Sequence, residues 1–211
     1  MTTLTRSPAT QTHAPRLRVS GLVGAASGVL GTAFALAIIF WPPMVGQDRF
    51  SYPFDASWFV LAQLLFAVQH VGMLPVFLGV LVLERRRPSR TLRFGTWLAL
   101  IGQVALTVLE LIAISARNGS VASGTGATVG ASYAAPMVLL GVGLTIAGVG
   151  ALRVRLWKGA GRWLLLASGV YVFVVLFPAV FGPLVAGRIA IGVWSLMFAW
   201  LGLLLAGEAR S

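Results

Sequence analysis

The chain has 211 residues, 58% of them hydrophobic and 10% charged, with a mean hydropathy of +0.90 and a formal net charge of +11. A soluble domain has about a quarter of its residues charged, and too few polar residues are present here to coat one, so the composition excludes a water-soluble globule and implies solvation by lipid. Cysteine is absent, which excludes disulfides, thiolate metal sites and thiol nucleophiles.

The first stretch, MTTLTRSPATQTHAPRLRVS, is polar, contains two prolines and lacks apolar periodicity. Residues 1–18 are therefore expected to form a mobile cytoplasmic tail, with His13 a solvated side chain on it. Residues 19–207 hold six apolar segments, near 19–41, 57–83, 94–116, 133–152, 163–181 and 188–206. Each is long enough for a helix to cross a hydrocarbon core about 30 Å thick. A helix satisfies its own backbone groups in lipid, and the alternating pattern of a membrane barrel strand is missing. The predicted fold is an all-α integral membrane protein with six transmembrane helices. The first span runs into FWPP without a small-residue cleavage pattern, so it is expected to be retained and not removed as a signal sequence.

The placement of charge orients these spans. Arg6, Arg16 and Arg18 precede span 1. Arg85, Arg86, Arg87, Arg90 and Arg93 fill the connection from span 2 to span 3, and Arg153, Arg155, Lys158 and Arg162 fill that from span 4 to span 5. With Arg210 they put thirteen of the sixteen basic residues on one side, against Arg49, Arg117 and Arg188 on the other. The excess of Lys and Arg predicts that both termini are cytoplasmic, and it explains the net charge without nucleic acid as a partner. The basic clusters are also suited to anionic lipid headgroups.

Between the spans, WPPMVGQDRFSYPFDASW reads as an interfacial loop anchored by Trp41, Tyr52 and Trp58. RNGSVASGTGATVGAS, rich in glycine and serine, reads as a flexible connection. Within the spans, small residues such as Gly24 and Gly28 of span 1 and Gly141, Gly143, Gly148 and Gly150 of span 4 are expected to let helices approach closely. That contact is assigned within the chain in preference to a homodimer. A loose echo of LPVFLGVLVL in PMVLLGVGLT is either a chance likeness of apolar sequence or the trace of a parallel repeat of spans 2–3 in spans 4–5.

The polar residues inside the spans are the candidate site. Gln63 and His70 are seven residues apart on span 2, and Gln103 and Glu110 seven apart on span 3, so each pair shares one helix face about 10 Å apart along the axis. The two spans run antiparallel. Counting from their shared end, Gln63 and Glu110 lie at about 9 Å depth and His70 and Gln103 at about 20 Å. This predicts two hydrogen-bonded layers, Gln63 with Glu110 and His70 with Gln103, forming either a structural seam or a functional polar cavity. Gln69 points about 100° away from His70 and need not join them. Arg188, near the same end of span 6, is a candidate partner for Glu110.

Other chemistries lack their residues. A lone intramembrane histidine does not supply two haem ligands, and His70 with Glu110 at another depth makes a poor metal site. The chain has no phosphate-binding G-x-x-x-x-G-K-[ST] loop, no G-x-S-x-G elbow and no H-E-x-x-H helix. No catalytic residue, cofactor or metal is assigned, and enzyme activity is not expected. The segments GVGALRVRLW and GRWLLLASGV look like ones common in bacterial multi-span proteins, which implies a bacterial plasma membrane. The expected role is that of a non-catalytic accessory, scaffold or lipid/protein-binding subunit, with membrane lipids and another membrane protein or a second copy as partners. The alternative is a small proton-coupled permease or carrier using the polar layers.

Overall fold

A computed structural model of the chain describes residues 8–209, with side chains from residue 15. Among the described residues the secondary structure is helical, with one isolated bridge between Arg49 and Ser120. Six stretches are long and apolar enough to span a membrane: Pro15–Ile39, Ala56–Arg86, Arg90–Ala116, Gly124–Arg153, Gly159–Val180 and Leu184–Glu208. The six-span expectation holds.

Helix α1 covers Pro8–Ile39. It starts where proline is tolerated, at a first helical position that needs no N–H. Residues 8–18 of the expected tail are thus helical, and Leu17 is buried. Residues 1–7 and 210–211, with Arg6 and Arg210, lie outside the described residues.

Helix α2 covers Ala56–Arg86, and its N-terminus is capped by Asp55, which accepts from the N–H groups of Ser57 and Trp58 at 2.9 Å. It ends before Pro88, which disfavours a helical conformation at Arg87. Ser89 then caps α3, Arg90–Ala113, by accepting from Leu92 N–H at 3.2 Å. The buried carboxylate of Glu84 clasps this turn, accepting from Ser89 N–H at 2.9 Å and from two Arg93 nitrogens at 3.1 Å. A 3-10 turn, Ile114–Ala116, extends α3.

Span 4 is two helices, α4 (Gly124–Ser132) and α5 (Ala134–Arg153). The break at Tyr133 has a local cause: Pro136 has no N–H to give Ser132, and its ring crowds that carbonyl. Span 5 runs from a 3-10 segment at Gly159–Trp163 through α6 (Leu164–Tyr171), a wide π turn at Val172–Leu176 and α7 (Phe177–Val180). The π turn stands just before Pro178, which cannot donate back into the preceding turn. Helix α8 covers Leu184–Glu208.

The spans form a closed ring in the order 2, 1, 6, 5, 4, 3, with the most extensive contacts between α1 and α8 and between α3 and α5. Both of these contacts depend on small residues. A Cβ on Gly28 would stand 2.5 Å from Ala199 N and Ser195 O, and one on Gly95 would stand 2.2 Å from Ala147 N. The small faces of spans 1 and 4 are therefore used inside the chain, as expected. Phe77, Trp194 and Phe198 fill the centre of the ring, with ring centroids 5.5 Å apart for Phe77–Phe198 and 4.5 Å for Trp194–Phe198. Outward residues such as Val68, Phe94 and Leu203 are exposed and apolar, the mark of helices with lipid on one side and an apolar core on the other.

The two ends of the ring differ. One carries the arginine-rich connections. At the other, the loop end, the connections after spans 1 and 3 pair with each other: Phe50 N–H donates to Gly119 O at 3.0 Å and Val121 N–H to Asp48 O at 2.9 Å. The connection read as flexible is thus held by this pairing and includes helix α4, which composition alone did not reveal.

Candidate functional site

The five candidate residues lie on three spans, Gln63 and His70 on span 2, Gln103 and Glu110 on span 3 and Arg188 on span 6. Gln63, Gln103 and Glu110 are buried, and His70 and Arg188 half-buried. At the outer level Gln63 Nε2 donates at 3.4 Å to the backbone oxygen of Glu110, where the expected layer joined the two side chains. Gln103 Nε2 lies 3.1 Å from His70 Nδ1 and 3.4 Å from His70 O, which forms the inner expected layer. Thr107, one turn on, donates its hydroxyl to Gln103 O at 2.9 Å.

The layers are joined, which their spacing did not predict. His70 Nε2 is 3.5 Å from Glu110 Oε1. The cause is the lean of side chains toward the N-terminus of their own helix. In antiparallel α2 and α3 that lean sends His70 toward the loop end and Glu110 away from it, so each enters the other's layer.

Gln103 Nε2 stands beside both Nδ1 and the backbone oxygen of His70; in the tautomer whose Nδ1 accepts from this amide, the ring proton is on Nε2 and faces Glu110. Gln103 Oε1 is left buried without a hydrogen-bond partner among the described residues.

Tyr133 completes the cluster and was missed in the sequence. Its hydroxyl donates to Glu110 Oε2 at 3.0 Å and accepts from Gln63 Nε2 at 3.3 Å. The break between α4 and α5 falls at this residue, and the one local signal for it is Pro136 three positions later. Gln63, Glu110 and Tyr133 thus tie spans 2, 3 and 4.

Arg188, the candidate partner of Glu110, forms no ion pair within 4 Å among the described residues; its guanidinium lies over the Phe66 ring, 5.5 Å from the centroid. Gln69 stays apart, as expected, donating to Ser27 O of α1 at 3.4 Å. Among the described residues no three His, Cys, Asp or Glu side chains come together as a metal site. The cluster can hold helices together, or pass a proton between adjacent partners.

No family model matches the chain, and neither does a curated protein or a solved structure.

Proposed function

We propose that the chain is a non-catalytic membrane subunit, a helical scaffold that binds lipid or another membrane protein. The observation that carries this reading is the way Glu110 is held: Tyr133 donates to Oε2 and His70 faces Oε1, beside a ring whose centre is filled by aromatic side chains. One carboxylate oxygen accepts from Tyr133 of span 4 and the other faces His70 of span 2 at 3.5 Å, an arrangement suited to a structural tie. Hydrogen bonds of this kind contribute about 0.5–2 kcal/mol each in lipid. The paired connections at the loop end support the same reading, because ordering exposed chain costs about 1–2 kcal/mol per residue and gives a partner a fixed surface. The excess of Lys and Arg supports a cytoplasmic placement of the arginine-rich end.

The test is purification of the tagged full chain in mild detergent, followed by lipid and protein mass spectrometry. A stoichiometric protein or lipid species is expected. A monodisperse chain with neither counts against the scaffold.

One observation favours a second reading, a small proton-coupled permease or carrier. Because His70 joins the layers, Tyr133, Glu110, His70 and Gln103 form a continuous file of polar groups, and intramembrane carboxylates and histidines commonly relay protons.

A further inference from the structure

Away from the polar file, the loop end brings together two arginines that are distant in sequence. Arg49 and Arg117 both line an open cleft of about 350 Å³, whose other walls are Val45, Ser51, Ala56 and Asn118. The backbone pairing of the two connections builds this convergence, helped by Arg49 itself, which donates from Nη1 to Asn118 O at 3.0 Å. Arg117 donates from Nη1 to Ile114 O of its own helix end at 3.3 Å. A guanidinium has five N–H donors, so each arginine uses a minority of them within the chain. Among the described residues neither lies within 4 Å of a carboxylate.

Two exposed guanidinium groups on one cleft can both give charge-assisted hydrogen bonds to a single bound oxyanion. The start of α2 is not the attraction, because Asp55 already accepts from its free N–H groups. We propose that this cleft binds an oxyanion, and that its occupant in the membrane is the phosphate of a lipid headgroup. Depth favours the lipid source. Trp58, two residues from Ala56 of the cleft, packs edge-on against Trp41 with ring centroids 5.1 Å apart, and exposed tryptophans of this kind sit at headgroup level. The site is independent of whether the Glu110 file serves a scaffold or a carrier.

The test uses the purified full chain in neutral detergent at low ionic strength, titrated calorimetrically with dihexanoyl phosphatidylglycerol and, separately, with inorganic phosphate. The short-chain lipid is expected to bind saturably. Arg117→Gln, at an exposed position, should weaken it about tenfold, Arg117→Lys less, and Arg162→Gln at the opposite end not at all. Matching unfolding temperatures of the ligand-free variants check that folding is intact. Phosphate binding with the same Arg117 dependence, without binding of the lipid, would support the oxyanion site and overturn the lipid assignment. Binding that is unchanged in Arg117→Gln, or no saturable binding of either probe, would overturn the proposal.

Discussion

His70 Nε2 and Glu110 Oε1 meet at 3.5 Å across the α2–α3 interface, although their backbone positions differ by about two helical turns in depth. Each side chain leans into the other's layer, and the two expected layers become one file ending at Tyr133 and Gln103.

Glu110→Gln is expected to keep the tie, because an amide both donates and accepts and can serve Tyr133 and His70 in place of the carboxylate. Its stability should stay within about 0.5 kcal/mol of the parent. Glu110→Leu leaves the Tyr133 hydroxyl without its acceptor and removes the carboxylate that faces His70 Nε2, and should cost about 1–2 kcal/mol. Unfolding of both variants in detergent checks this, and a leucine variant as stable as the parent would refute it.

Tyr133→Phe removes a hydroxyl that serves both Glu110 and Gln63. The expected loss is about 1 kcal/mol, moderated because Gln63 keeps its bond to Glu110 O. In a double-mutant cycle with Gln63→Leu the two effects should be non-additive, since the side chains share one hydrogen bond. Strict additivity would show that the contact contributes nothing.

Close helix contact makes a steric prediction. A Cβ at Gly95 meets backbone atoms of α5 at 2.2 and 2.7 Å, and backbone cannot swing aside. Gly95→Val should therefore part α3 from α5 and abolish monodisperse expression, whereas Gly207→Ala, with nothing within 4 Å, should be tolerated. Size-exclusion profiles of the two variants decide it.

The absence of native cysteine makes sidedness easy to measure. Ala160→Cys lies at the arginine-rich end and Ala122→Cys at the loop end, both exposed. An impermeant maleimide added to intact cells should label Ala122→Cys and spare Ala160→Cys. The opposite pattern would invert the orientation inferred from charge.

The spans were legible because apolar run length is a property of local sequence, and the pairing of Gln63 with Glu110 and of His70 with Gln103 because seven-residue spacing fixes helix face and depth. The joining of the layers was hidden, since it depends on how side chains lean and not on where their backbones sit. Tyr133 was hidden for a different reason: it lies outside spans 2 and 3, and it reaches Glu110 only because Pro136 breaks span 4 beside it and α3 packs against α5. The order of the loop end comes from a tertiary pairing of two connections, and neither connection carries a sign of the other in its own residues.

Proton flux in proteoliposomes tests most directly whether the file of Tyr133, Glu110, His70 and Gln103 ties helices or carries protons. The parent chain and Glu110→Gln are reconstituted, a pH gradient is imposed, and its decay is followed with an internal pH dye. If the file is a tie, both should match protein-free liposomes, with both proteins folded. Faster decay with the parent that is lost in folded Glu110→Gln would contradict the structural tie and establish a proton pathway through Glu110.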